Sequence, residues 1–331
     1  MLRGGEEQAP PGPPTPGLSR RRLGNSDVWA TRFVLGLAPI GGLYAPLTDS
    51  DARAALEAAW DRGIRAFDTA PHYGASLSES RLGSFISAHP RNEMIVSSKV
   101  GRLLVPTKLD VEGAYGFYGT PRLSRVLDFS ADGVKRSVAE SCARLSVDRL
   151  DIAFVHDPDE HFAEALGQSL PALAELRNEG VVGAIGVAMN QAGMLAQFVR
   201  EADIDCIMVA GRWSLLDRSA GEELLPLCAE REVGVLVGGV FNSGILAMPG
   251  PDATFDYEPA PPELLARARR MQDACTARGV PLRAAALQFP LRHPAVSATV
   301  FGARSAAEVI EDLADLDREI TAELWDELDA S

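Results

Sequence analysis

The heptapeptide LDIAFVH (Leu150–His156) is almost unbroken in apolar residues and closes on a histidine. A run of this kind, as opposed to an alternating one, reads as a strand covered on both faces, as in a parallel sheet. Seven similar runs flank it. Upstream are Arg32–Leu37 (RFVLGL), Ile64–Asp68 (IRAFD) and Met94–Lys99 (MIVSSK). Downstream are Val182–Val187 (VGAIGV), Ile204–Val209 (IDCIMV), Val233–Gly238 (VGVLVG) and Val296–Phe301 (VSATVF). Amphipathic segments fill the gaps. Asp49–Arg62 puts Ala52, Leu56, Ala59 and Trp60 on one face and opens on the capping residues Asp49 and Ser50. Ser130–Leu145 opens on Ser130, and Phe162–Glu179 stops at Gly180. Eight strands with interleaved helices predict an α/β fold, the (β/α)8 TIM barrel. An open doubly wound sheet would carry G-x-G-x-x-G after its first strand, and GLAPIGG (36–42) lacks that spacing. Two connections are too long for plain crossovers: Gly101–Phe129 after strand 3 and Phe241–Pro261 after strand 7. Both leave the C-terminal end of a strand, where barrels carry substrate loops.

Composition narrows the class further. The chain has 331 residues, 46% hydrophobic and 24% charged, enough to bury a core without a disulfide or metal. Length alone suggests two domains, but single barrels reach this size. Cys142, Cys206, Cys228 and Cys275 lie far apart with no C-x-x-C pair, which points to a reducing, cytoplasmic setting. A net charge of −14 argues against nucleic acid as a partner. No run of 18 apolar residues is present to span a membrane. Residues 1–22 hold five prolines and few bulky apolar side chains, so a disordered tail is expected there, with one barrel domain over 23–331. Arg20-Arg21-Arg22 superficially resembles an export signal, but Asn25, Asp27 and Arg32 break up the apolar stretch such a signal needs. Residues 304–331 carry ten acids, with Leu313, Leu316, Ile320, Leu324 and Leu328 at helical spacing, and read as surface helices with a solvated face.

Three apolar runs end in polar residues: Asp68, Lys99 and His156. They close strands 2, 3 and 4, where barrel enzymes hold their reactive groups. Lys99 stands out because the chain has only three lysines against 29 arginines. A lysine is a compact charge that can sit beside a phenol and favour its ionised form. Tyr73 supplies a phenol five residues after Asp68. A carboxylate holds the ammonium in place, the ammonium lowers the phenol's pKa, and the histidine donates a hydrogen bond to the reacting oxygen. Asp157, Asp159 and Glu160 lack the spaced histidines of a metal site and read as solvated or substrate-facing, so no metal is expected. His72, beside Tyr73, and Tyr115 and Tyr118, in the loop after strand 3, are candidate substrate contacts.

Over about residues 22–315 the sequence resembles the aldo-keto reductases. The resemblance is carried by GIRAFDTAPHYGASLSESRLG (63–83), VSSKVGR (96–102), the strand ending in His156, and GVAMN (186–190). It implies that Asp68, Tyr73, Lys99 and His156 form a catalytic tetrad. HDPD (156–159), AGRWSLLD (210–217), VFNSGILA (240–247), YEPAPPE (257–263) and PLRAAALQFPLRHPAV (281–296) look like the branch of L-fucose, L-galactose, D-threo-aldose and pyridoxal 4-dehydrogenases.

By the same resemblance Asn190 holds a nicotinamide carboxamide. Ala210 replaces a usual glutamine, Gly238 stands near a usual tyrosine, and Trp213 is expected to supply aromatic surface instead. In FGARSAAEVIED (301–312) the segment Gly302, Ala303, Arg304 and Ser305 is expected to meet a phosphate at a helix start. Arg304 would suit the 2′-phosphate of NADP. Glu308 would repel it, and Asp312 replaces an asparagine near the adenine. The branch resemblance tips the balance to NAD. The resulting expectation is an NAD(P)-dependent oxidoreductase acting on a small carbonyl or alcohol, oxidising an aldose to its lactone or a pyridoxal-like alcohol. Reduction of aldehydes or ketones with NADPH is the alternative direction. A nucleotide-sensing regulatory subunit would keep Asn190 and the phosphate loop, but the complete tetrad argues against it.

Overall fold

Each of the eight apolar runs forms a strand, and the strands close on themselves in chain order. The computed structural model describes residues 19–316 and 318–331. Its barrel strands are β1 (Phe33–Gly36), β2 (Ala66–Asp68), β3 (Ile95–Val100), β4 (Leu150–His156), β5 (Val182–Met189), β6 (Cys206–Ala210), β7 (Gly234–Gly238) and β8 (Val296–Gly302). All neighbours pair in parallel and β8 returns to β1.

Strand parity sorts the side chains into two cores. Val34, Ala66, Ile152, Phe154, Ala184, Ala188, Met208, Leu236, Ala298 and Val300 fill the barrel interior. Their chain neighbours Leu35, Phe67, Ala153, Val155, Ile185, Val187, Val209 and Val237 face outward to the helices. Leu23, Val28 and Ala30 join the inner core from an N-terminal hairpin, in which Arg20–Arg22 pairs antiparallel with Trp29–Thr31. The disorder expected over 1–22 does not hold for Arg20–Arg22, which is a strand, and Arg21 donates to the carbonyls of Pro294 and Val296. Residues 1–18 lie outside the described residues.

Helix ends differ in detail from expectation. Thr48, not Asp49 or Ser50, caps the helix Asp49–Asp61. Its backbone is still extended and its hydroxyl accepts from the Asp51 N–H at 3.1 Å. Ser130 caps Ala131–Leu145 as expected. The segment 162–179 is not one regular helix: a π turn at Ala165–Ser169 precedes Leu170–Asn178. It falls just ahead of Pro171, which has no N–H for a regular helical bond.

The long connection after β3 is an antiparallel hairpin, Arg102–Pro106 with Leu123–Leu127. The one after β7 holds a short pair, Thr254–Phe255 with Glu258–Pro259. In the acidic C-terminal region Leu313, Leu324 and Leu328 are buried as expected, but so are Asp312 and Asp315. Asp315 accepts from Arg283 at 2.5 Å and Arg318 at 2.7 Å, so not every acid there is solvated. No helix among the described residues is long and apolar enough to cross a membrane.

Candidate active site

The parity that fills the barrel also fills its mouth. The last inward-facing residues are Asp68 on β2, Lys99 on β3, His156 on β4 and Asn190 just past β5. On β6, β7, β8 and β1 the corresponding residues are Ala210, Gly238, Gly302 and Gly36. One half of the mouth thus carries reactive groups and the other half is stripped to backbone.

Lys99 is buried, and its ammonium donates to Asp68 Oδ2 at 2.7 Å and to the Thr69 carbonyl at 3.0 Å. Ser97 Oγ donates to Asp68 Oδ1 at 2.7 Å, fixing the carboxylate from the other side. Tyr73 arrives on the turn after β2. That turn needs glycine at 74: φ is +63°, and a Cβ would lie 2.1 Å from the Gly41 carbonyl oxygen. Lys99 Nζ lies 4.6 Å from the centroid of the Tyr73 ring. The imidazole of His156 stands edge-on to that ring, with centroids 5.9 Å apart, and Phe117 stacks on it at 6.2 Å. Behind β3 the fully buried Glu79 accepts from Ser98 Oγ and Arg144 Nε, each at 2.6 Å, and locks the helix Leu77–Ile86 in place.

Burial governs the protonation states. It works to lower the pKa of Lys99, but Asp68 and the Tyr73 hydroxyl outweigh it, and the ammonium stays charged. Burial holds the Tyr73 phenol up at about 12, against the downward pull of Lys99. Lys99 pulls the phenol down as expected, but desolvation of the phenolate exceeds the attraction of one ammonium already shared with Asp68, and the net shift is upward. His156 is pushed well below its usual pKa by burial and by the charges of Lys99 and Arg102, so its imidazole is neutral. His72 is lowered to about 3 by burial, with Arg102, Arg125 and Lys99 adding to it.

Two hollows meet at Tyr73. A cavity of about 800 Å³ is lined by His72, Tyr73, Lys99, Arg102, Tyr115, Phe117, His156, Asp157 and Asn190, among others. A groove of about 360 Å³ runs from Tyr73 and Asn190 past Gly211, Gly238, Gly239 and Asn242 to Gly302, Arg304 and Glu308. Asn190, Ala210 and Tyr73 border both. The groove fits a dinucleotide: its floor is glycine-rich, and the buried Asn242 turns an Oδ1 without a protein partner among the residues that line it.

Not every expected residue is brought to these hollows. Trp213 lines neither. Its indole N–H donates to the Pro290 carbonyl at 3.2 Å and its ring packs on Phe289 and His293, so it belongs to the outer core. Tyr118 is absent from the cavity wall, and its N–H holds the Gly42 carbonyl at 3.0 Å, whereas Tyr115 lines the cavity. Ala303, Ser305 and Asp312 do not border the groove. Ala303 is buried, Ser305 Oγ accepts from the Glu308 N–H, and burial raises Asp312 to about 7. The Arg304 N–H, expected to face a phosphate, donates instead to Glu308 Oε2 at 2.7 Å. The Arg304 guanidinium reaches across to the carbonyls of Leu43 and Ala45. Sequence reasoning missed Tyr44 and Tyr257, exposed aromatics that line both hollows, and the Arg102–Asp157 pair in the cavity.

The Aldo/keto reductase family model matches residues 32–331. The chain is 45% identical to a D-threo-aldose 1-dehydrogenase of Pseudomonas sp., over 88% of this chain and 91% of that protein. It is 40% identical to a pyridoxal 4-dehydrogenase of Microbacterium luteolum, over 92% and 95%. A glycerol dehydrogenase from Gluconobacter oxydans shares the fold with a TM-score of 0.77 at 24% identity, covering 94% of each chain. With this match and these relatives, the chain belongs to the aldo/keto reductase family and is an oxidoreductase that uses a nicotinamide cofactor.

Proposed function

We propose that the protein is an NAD-dependent dehydrogenase that oxidises an aldose at its anomeric carbon, or a comparable small alcohol. The observation that carries this reading is the junction at Tyr73. One phenol borders both the cavity and the groove, with the Lys99 ammonium 4.6 Å from its ring on one side and the neutral His156 on the other. Similarity to the aldose and pyridoxal dehydrogenases supports the substrate class.

In the oxidising direction the substrate hydroxyl sits between Tyr73 and His156. Tyr73, as phenolate, takes the hydroxyl proton while Lys99 stabilises its negative charge, and Asp68 keeps Lys99 ionised and in place. His156 donates a ring N–H to the same oxygen and orients it. The groove would hold the nicotinamide, which when bound would supply the acceptor for the hydride leaving the carbon. Asn190 lines both groove and cavity and would hold its carboxamide. An aldose hemiacetal that loses the O–H proton and the C–H hydrogen in this way becomes a lactone.

Glu308 supports the preference for NAD. Its carboxylate lines the groove and takes the Arg304 N–H that could otherwise meet a phosphate. Arg304 itself is engaged with backbone carbonyls across the groove.

One observation favours the reverse reaction. A phenol held at about 12 is a ready proton donor at neutral pH, as reduction of a carbonyl requires. Absorbance at 340 nm, with NAD+ and then NADP+ against a panel of aldoses and pyridoxal, tests the proposal. A rise with an aldose and NAD+ is expected, and Tyr73→Phe should abolish it. Silence on the whole panel with consumption of NADPH by simple aldehydes would move the protein to the reductase side. Turnover by Tyr73→Phe within a few-fold of the parent would remove Tyr73 from the mechanism.

A further inference from the structure

Immediately after His156 the chain passes through Asp157 with φ of +44°. This left-handed conformation is disfavoured for residues with a Cβ, and Asp and Asn tolerate it best. The turn is fastened by the Asp157 N–H, which donates to the Ala188 carbonyl at 2.9 Å. Strain of this kind beside a reactive histidine asks what the carboxylate is being aimed at.

Asp157 lines the cavity, and its Oδ2 accepts from Arg102 Nη2 at 2.8 Å and lies 3.5 Å from His156 Nε2. Arg102 comes from the hairpin after β3 and lines the same wall. Among the described residues the Arg102 guanidinium makes one hydrogen bond and the Asp157 carboxylate accepts one, the bond they share. Each therefore keeps a free arm, a donor at Arg102 Nη1 and an acceptor at Asp157 Oδ1. A free donor and a free acceptor on one hydrogen-bonded pair suit a hydroxyl, which both gives and takes a hydrogen bond.

Charge fixes the class of molecule. The two cations of the cavity are already matched, Lys99 to Asp68 and Arg102 to Asp157, and both His72 and His156 are neutral. Asp159 and Glu160 also line the wall. Arg125, packed over Tyr115 and Phe117 with no acidic partner among the described ion pairs, offsets one of these two, and the remaining balance is negative, so a carboxylate or phosphate on the substrate meets net repulsion.

We infer that Arg102 and Asp157 read a hydroxyl on the carbon next to the reacting one, so that the substrate is a neutral polyhydroxy compound and not a sugar acid or sugar phosphate. This rests on the proposed reaction only in that His156 holds the reacting oxygen. Asp157 lies one contact from His156 Nε2, as the oxygen on an adjacent carbon would.

The test compares matched substrates on the purified full-length protein, its parent and two variants, Asp157→Asn and Arg102→Lys. Asparagine keeps the left-handed turn, and lysine keeps the positive charge, so each variant has a fair prospect of folding. In the oxidising direction the pair is an aldose and its 2-deoxy counterpart, with the corresponding uronic acid as a third member. In the reducing direction it is 2-hydroxypropanal and propanal. The parent should prefer the hydroxylated member by about tenfold or more in kcat/KM, as expected for a hydrogen bond to a charged group, mostly through KM. It should also use the neutral aldose well ahead of the uronic acid. Either variant should collapse the hydroxyl preference toward unity, and Arg102→Lys should do so with its thermal midpoint near the parent's. Equal losses on both members of a pair, or a parent that shows no preference, would overturn the inference while leaving the proposed reaction intact. Turnover only in the reducing direction overturns aldose oxidation, and the aldehyde pair then decides the inference alone. No turnover of any member overturns both.

Discussion

Asp68→Asn changes almost nothing in shape and removes one charge from beside a buried ammonium, which makes its cost open to calculation. Lys99 Nζ is 2.7 Å from Asp68 Oδ2. Unit charges that close attract by about 6 kcal/mol at an effective dielectric constant of roughly 20. The variant cannot lose all of it, because Lys99 can release its proton. An ordinary lysine has a pKa of about 10.4, so deprotonation costs about 4.6 kcal/mol at pH 7 and about 1.9 kcal/mol at pH 9. The loss of unfolding free energy is therefore capped near 4.6 kcal/mol at pH 7, in line with the roughly 3–5 kcal/mol for breaking a buried pair. It should shrink by about 2.7 kcal/mol by pH 9.

The sign follows from proton counting. In the parent, burial lowers the pKa of Lys99 but Asp68 and Tyr73 raise it further, so both folded and unfolded chains hold that proton up to the unfolded pKa and Lys99 adds no slope below it. Its contribution is lost only as pH rises through the elevated folded value. In the variant burial is opposed by Tyr73 alone, and the folded pKa drops. Between that lowered pKa and about 10.4 the unfolded chain binds one more proton, so the variant gains stability with rising pH. Urea unfolding followed by tryptophan fluorescence at pH 7, 8 and 9, parent against variant, measures the difference. A gap below about 1 kcal/mol, or one constant across that range, would refute the assignment of Lys99 as a buried cation held by Asp68.

Three further outcomes are expected. Glu308→Gln removes a carboxylate from the groove and frees the Arg304 N–H, so the ratio of kcat/KM for NADP+ over NAD+ should rise roughly tenfold; a ratio that stays put would show that Glu308 does not select the cofactor. Trp213→Phe should cost about 1 kcal/mol through its bond to Pro290, visible as a lower Tm, with the KM for NAD+ unchanged; a raised KM would return Trp213 to the groove. With Tyr73 at about 12 before any cationic nicotinamide draws it down, oxidation needs an ionised form that is scarce at neutrality, so kcat/KM for an alcohol should rise from pH 7 to 9, by at most about tenfold per unit, while reduction of an aldehyde stays flat; an oxidising rate independent of pH across that range would mean the phenol is already ionised at neutrality.

The barrel was legible because its strands are doubly covered, and double coverage writes itself as runs such as LDIAFVH. Position then carried the reading to the site, since Asp68, Lys99 and His156 each close a run, and in the structure His156 shares the inward parity of Ile152 and Phe154. What stayed hidden depends on contacts between distant segments. The indole of Trp213 could equally have faced the groove, and its partner Pro290 lies 77 positions away. Thr48 caps where Asp49 and Ser50 had better credentials, because the helix begins one residue earlier than propensity alone can locate. Arg102 and Asp157 are 55 positions apart, and neither belongs to a motif that marks the other. The phenol of Tyr73 shows the same limit in energetic form: Lys99 can be read from the sequence, and the depth of burial that outweighs it cannot.

That imbalance bears on the direction proposed for the site. A phenol raised to about 12 is a donor at rest, and Lys99 limits how far burial can push it. Without the ammonium the phenolate would be less accessible still, and without Asp68 the pKa of the ammonium would itself fall. The ion pair thus keeps Tyr73 within reach of ionisation and does not hold it ionised. Tyr73 also borders the groove, so its proton affinity responds to the charge of what the groove holds. An oxidised, cationic nicotinamide held there would draw the phenol down toward the base that alcohol oxidation needs, and a reduced, neutral one would leave it the acid that carbonyl reduction needs.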